Sequence, residues 1–289
     1  MIHYTNIVMI HSIVTNRSQD LNLPNYVLDL PDITYYYNGQ PYIKSWYKNG
    51  NKHREGDLPS EIQYYDNGQS KIEFWYQNDR FHREGDLPSE IQYYDNGQHS
   101  RKCWHKNDKL HKEDNLPAFI EYYENGQSKI EFWYQNDKLH REGDLPDEIY
   151  YYQNAKPKIQ RWHKNGKKHR KDLPAVIHYY YNGQPTMQFW YKNGKLHREG
   201  DLPAQINHYL NGQLVRESWY KYDKLHRVNL PADIEYDKNG QLEREKWHEG
   251  GQLLKEIWYQ NGKCHREGDL PAGIEYYENG KPMKQIWLV

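Results

Sequence analysis

Cysteine is almost missing from this chain. Its two residues, Cys103 and Cys264, stand far apart and at non-equivalent places of an internal repeat, so neither a disulfide framework nor a thiolate zinc site is expected. Such usage fits a reducing compartment, and a cytoplasmic location is the expectation. Long hydrophobic runs are missing too. No stretch is long enough to span a bilayer as a helix, and the opening MIHYTNIVMIHSIV has no basic n-region of the kind a signal peptide carries. An excess of either charge is also lacking: 39 Lys and Arg face 40 Asp and Glu, spread evenly for a net of -1. That balance offers no steering field to nucleic acid, which is not an expected partner, and no support for contact with an anionic membrane surface. Aliphatic mass is short as well, with 36% apolar residues and a mean hydropathy of -1.22, low for one large packed core.

What stands in its place is aromatic. The chain has 29 Tyr and ten Trp against five Phe, flat side chains with a polar edge that suit thin layers left partly wet. They are distributed periodically. The Leu of a Leu-Pro dipeptide falls at Leu30, Leu58, Leu87, Leu116, Leu145, Leu173, Leu202, Leu230 and Leu270, in steps of 28 or 29 with one last step of 40. Trp46, Trp75, Trp104, Trp133, Trp162, Trp190 and Trp219 keep the same interval. Two independent markers therefore define one unit, seen nearly complete from Leu173 to Asp201.

Each unit carries two turn signals. The first is Asn-Gly, as at Asn67-Gly68 and Asn96-Gly97, with Asn154-Ala155 the exception; the second is Asn-Gly or Asn-Asp, as at Asn49-Gly50 and Asn78-Asp79. Asn-Gly between β-rich segments predicts a hairpin, because both residues tolerate the positive φ of a type I′ turn. Ile62 and Tyr64 alternate with Glu61, Gln63 and Tyr65 as one face of a strand alternates with the other. In the second strand the residue two before Trp (Lys44, Glu73, Lys102, Glu131, Gln160, Gln188) is polar, which predicts a half-exposed Trp lying across charged stems. Helix is excluded, since Gly or Pro interrupts every run of about a dozen residues and β-branched and aromatic side chains dominate.

The expected fold class is therefore all-β: tandem β-hairpin repeats forming an elongated meander or solenoid, about two strands per unit of 28 or 29 residues. Residues 1–29 read as an N-terminal cap or degenerate repeat over the first exposed sheet edge, and residues 30–289 as the array. The step of 40 exceeds 29 by the distance between adjacent turns, so an extra strand is expected near residues 240–251, with its own Trp247. A lone unit has too little apolar surface to offset its own ordering, so stacking on neighbours must supply the rest. The last strand reads as the less protected edge, open to a second copy in a homodimer.

One constellation invites a chemical reading. His-Arg-Glu-Gly-Asp, or a variant of it, recurs with His at 53, 82, 111, 140, 169, 197, 226 and 265, and a histidine, an arginine and two acids within five residues suit acid–base work or a metal. An active site is unique, whereas this one recurs in every unit and tolerates Lys112 and Val228, so the stronger reading is a structural rung. No Ser-His-Asp, Gly-rich phosphate loop or Cys-x-x-Cys pattern occurs, and no catalytic, cofactor-binding or metal-ligating residue is assigned.

Tyr-Tyr-Glu-Asn-Gly-Gln at 122–127 and Trp-Tyr-Lys-Asn-Gly-Lys-Leu-His at 190–197 resemble MORN repeats, in the variant with Tyr-x-x-Asn-Gly cores. The resemblance covers about residues 30–289. It implies a β-hairpin array used for protein interaction or scaffolding. Similar repeats occur in bacterial antitoxin-like proteins and in long arrays of large DNA viruses, which would place a viral member in the host cytoplasm. The expected function is thus a non-enzymatic protein-interaction scaffold with one protein partner whose identity the repeats leave open. The alternatives are an aromatic-ladder module for glycans or cationic ligands, and an antitoxin-like inhibitor of a toxin.

Overall fold

The computed structural model describes residues 7–8 and 29–287; most of the expected N-terminal cap, residues 1–29, lies outside them. Among the described residues there is no helix, and hence none long and apolar enough to cross a membrane. The strands are antiparallel and follow one another as a hairpin meander that does not close into a barrel. The chain divides into two compact units, Met1–Lys138 and Leu139–Val289.

In the first unit the meander runs through Asp32–Tyr36, Pro41–Ser45, Glu61–Tyr64, Ser70–Phe74, Glu90–Tyr93, His99–Cys103, Phe119–Tyr122 and Ser128–Phe132, each paired with the next. Ile7–Val8 adds a short strand to Tyr35 and Tyr36. In the second unit the same two-strand rhythm runs from Glu148–Tyr151 and Pro157–Arg161 to Asp233–Tyr236. Paired rungs set Ile62 against Glu73 and Gln63 against Ile72, so neither face of the sheet is wholly apolar. The side chains closed off from water lie instead where each loop rejoins the sheet: Ser60, Ala118, Ala175, Ala204 and Ala232, one after each Leu-Pro, have no exposed surface. The leucines themselves stay 44 to 59% exposed.

The type I′ geometry expected of the first turn is not found there. At the first, Gly68 N–H donates to Tyr65 O (3.0 Å) and Tyr65 N–H to Gln69 O (2.9 Å). Only Gly68, with φ +84°, is left-handed, and the pairing slips between Gln63 and Tyr64. This is a type I turn closed by a glycine bulge rather than type I′, because the loop holds three residues and not two. Asn67 serves it through its side chain, whose Oδ1 accepts Gln69 N–H at 2.9 Å. The type I′ geometry occurs at the second turn, where Asn49 and Gly50 (φ 53° and 84°) and Asn78 and Asp79 (54° and 63°) are both left-handed. It closes a small separate hairpin of two-residue strands, such as Tyr47–Lys48 with Asn51–Lys52.

The step of 40 residues is one added strand. Leu242–Glu249 takes the usual second-strand place and turns at Gly250-Gly251 directly into Gln252–Gln260, which pairs onward with Gly273–Tyr276. An odd strand reverses every element that follows it. The Gly250-Gly251 turn rests on the preceding small hairpin, with Gly251 N–H donating to Leu225 O at 2.9 Å, and Gln252 Nε2 reaches Tyr277 O at 3.4 Å. The last Asn-Gly turn therefore lies on the edge that bears the loops in earlier repeats, and the loop at 265–272 lies on the opposite edge.

Candidate functional site

The recurring His-Arg-Glu-Gly-Asp loop is held to the sheet by backbone bonds before any side chain acts. Trp46 N–H donates to Ser60 O (2.8 Å) and His53 N–H to Trp46 O (3.0 Å), a pattern repeated through both units. The arginine is the clamp. In the second loop Arg83 lies over the Trp75 ring, its guanidinium carbon 3.8 Å from the centroid. Its Nη1 donates to Pro88 O (3.1 Å), and Nε and Nη2 fork onto Asp57 of the loop before (2.6 and 2.8 Å). One planar donor thus joins a ring, its own loop and the preceding repeat, which a point charge on a flexible stem does less well. Arg170 repeats this with Trp162, Pro174 and Asp144, and Arg227 with Trp219, Pro231 and Asp201. The arginine holds Asp57, Asp144 and Asp201 below the usual carboxylate range.

The remaining members are equally engaged. Glu113 Oε1 is 2.7 Å from Lys106 Nζ and 3.0 Å from His111 Nε2, and these partners, the lysine first, lower its pKa; Glu55 sits likewise between Lys48 and His53. Histidine Nδ1 faces the next turn, accepting Asn136 N–H at His111 (3.4 Å), Asn193 N–H at His169 (3.3 Å) and Gly250 N–H at His226 (3.3 Å). An accepting Nδ1 requires a neutral ring. At His169, burial and then Lys164 and Lys192 hold the pKa down. The rung is not uniform: His53, His111 and His197 are buried, whereas His82 and His140 are exposed. Among the described residues no three His, Cys, Asp or Glu side chains are placed to hold a metal ion.

Six of the ten tryptophans depart from expectation, while Trp104, Trp247 and Trp258 are partly exposed and Trp287 is 53% exposed. Trp46, Trp75, Trp133, Trp162, Trp190 and Trp219 are 4 to 7% exposed. The cationic stem across the ring at Trp46, Trp75, Trp162, Trp190 and Trp219 comes from the loop arginine. The polar residue two before Trp serves a tyrosine of the next repeat instead: Lys44 lies 5.3 Å over Tyr64, Glu73 accepts Tyr93 OH at 2.8 Å, and Gln160 accepts Tyr179 OH at 2.6 Å.

Two further ladders escaped the sequence reading. The second Tyr of each Tyr-Tyr pair donates its hydroxyl to the carbonyl of the first-strand end one repeat on: Tyr36 to Tyr64 O (2.8 Å), Tyr65 to Tyr93 O (2.8 Å), Tyr180 to His208 O (2.9 Å). The other explains why Asp alternates with Gly in the second turn. Asp79 N–H donates to Lys52 O (3.1 Å) while its Oδ1 accepts Lys52 N–H (2.7 Å). Where Gly194 stands only the first of these bonds, to Lys168 O, is made. The signal was in the sequence as the choice of Asn-Asp or Asn-Gly, but its partner lies 27 residues away.

The comparisons with known proteins leave the fold to speak for itself. No protein-family model matches the chain, and no curated protein matches it. Among solved structures it is similar to one titled "Crystal Structure of TcdB2-TccC3-Cdc42", with 10% identity and a TM-score of 0.13 over 88% of this chain. The chain spans 12% of that protein's length, and the overlap is too slight to carry an argument.

Proposed function

We propose that the protein is a non-enzymatic interaction scaffold of MORN-like repeats, which binds a protein partner through the same exposed group presented once per repeat. What carries this reading is the inversion at the loops. The polar groups that could do chemistry are spent on neighbouring repeats, while the leucine of each Leu-Pro, from Leu58 and Leu87 in the first unit to Leu173 and Leu202 in the second, is left about half exposed. Many weak, evenly placed contacts bind by avidity, without any one of them being strong.

The rival, glycan or cationic-ligand binding on an aromatic ladder, needs free ring faces. Burial of six tryptophans, with an arginine over Trp46, Trp75, Trp162, Trp190 and Trp219, weighs against it. An antitoxin-like inhibitor would use the same surface on one toxin and would be marked by a one-to-one complex.

The test is affinity capture with the intact chain, repeated with Leu58→Ser, with Leu58→Ser and Leu87→Ser together, and with all the exposed leucines changed. Retained partner is expected to fall in steps as leucines are removed while the circular dichroism stays unchanged. A partner held equally by the fully substituted chain, or no partner at all, overturns the reading.

A further inference from the structure

Three successive small hairpins of the second unit carry lysines directly opposite one another: Lys164 with Lys167, Lys192 with Lys195, and Lys221 with Lys224. Like charges in that position repel and cost the hairpin stability. In the described tips of the first unit such a doublet occurs at Lys106 with Lys109, where Glu113 meets Lys106, while Lys48 meets Glu55 and Arg80 meets Asp108; no run of successive doublets forms there. In the second unit only Lys192 has a carboxylate, that of Glu199; the other five are exposed and make no ion pair among the described residues. The three hairpins are tied to each other through their backbones, Gly194 N–H to Lys168 O and Asp223 N–H to Leu196 O, both at 2.9 Å. They therefore form one continuous stripe. Asp223 is the one acid within the three tips, and its Oδ1 is occupied by Leu196 N–H.

We propose that this stripe is the docking site for an extended acidic segment of a protein partner, which deepens the scaffold reading and rests on it. Successive lysine doublets are two strand widths apart, about 10 Å. An extended segment in the polyproline II conformation has three residues per turn and advances about 9 Å per turn, so carboxylates at every third position share one face and meet a doublet at every step. Doublets about 10 Å apart also lie within roughly one screening length of each other, so their fields add. Single-stranded nucleic acid is the less suited polyanion. Its binding relies on aromatic platforms and arginine forks, and the tips offer lysines and one exposed tyrosine, Tyr222, which is already stacked on His197 at 4.3 Å.

The experiment measures fluorescence anisotropy of a labelled peptide with Glu at every third position, titrated with the full chain at low and moderate salt. Controls are a peptide of equal composition with its glutamates clustered and an oligothymidylate. The variant carries Lys164→Gln, Lys167→Gln, Lys195→Gln, Lys221→Gln and Lys224→Gln, which removes repulsion and leaves the fold unburdened; a second set changes the same residues to Arg. Expected are salt-sensitive binding of the spaced peptide, weaker binding of the clustered one, a loss of about tenfold or more in the Gln variant and retention in the Arg variant. No binding, equal binding by the Gln variant, or tighter binding of the oligothymidylate overturns the proposal. If the Gln variant still captures the partner found with the intact chain, the stripe is refuted and the scaffold reading stands.

Discussion

Ala155 is the one residue in the glycine place of a first turn that carries a side chain, and it still adopts φ +61°. The equivalents Gly126, Gly183 and Gly212 lie at +80°, +93° and +84°. The turn around Ala155 is otherwise intact, with Ala155 N–H to Tyr152 O at 3.0 Å, Tyr152 N–H to Lys156 O at 2.9 Å and Lys156 N–H to Asn154 Oδ1 at 3.1 Å. Ala155 is exposed, so Ala155→Gly changes chiefly backbone terms. Relief of left-handed strain is worth roughly 1–2 kcal/mol; the greater freedom of glycine in the unfolded chain takes back roughly 0.4–1 kcal/mol. The net is a gain of about 0.5–1 kcal/mol, read as a rise of about two- to fivefold in the native-state exchange protection of the Tyr152 and Lys156 amides. Gly212→Ala is the mirror control, since an added Cβ there meets nothing within 4 Å, and it should lose a similar amount. Protection that stays level or falls in Ala155→Gly would mean that the turn is not strained by φ, and that the stack of repeats, rather than its turns, sets local stability.

Lys112 replaces the clamp arginine in the third loop, 4.1 Å over Trp104 and 3.1 Å from Asp86. Lys112→Arg should restore the fork and raise local exchange protection by about 0.5–1 kcal/mol, a modest figure because Asp86 is largely exposed; no change would show that the fork adds nothing beyond the ring contact. Cys103 is buried and its thiol is pushed up to about 12, by burial first and Glu90 next. A thiol reagent should therefore label Cys264 well before Cys103, and equal rates would contradict this. Acid should act in two windows. Burial leads in lowering the pKa of His105, His178, His208 and His248, so the unfolded chain takes up protons the folded one refuses. Their contribution is complete above about 6.5 and is lost as pH falls toward the lowered values. The depressed Asp57, Asp144 and Asp201 add a second loss below about 3.9. A melting temperature flat between pH 7 and 5 would refute the histidine part.

The period, the all-β class and the existence of an added strand were legible in the sequence, because hairpins are local and each unit repeats the same turn residues and the same alternation. Which turn was type I′ was not legible. Asn-Gly serves both geometries, and the choice follows loop length, three residues at Asn67-Gly68 and two at Asn49-Gly50. The place of the leucine was also hidden: an apolar letter at a fixed position reads as packing, yet Leu58 is half exposed while Ser60, two residues on, is fully covered. The sequence by itself determined the elements, since their signals lie within a dozen residues of each other. The tertiary structure alone decided what the recurring polar groups do. Arg83 on Asp57, Tyr65 on Tyr93 O and Asp79 on Lys52 each join residues 26 to 28 positions apart, and only the stacking of one repeat on the next brings such distant groups within hydrogen-bond reach.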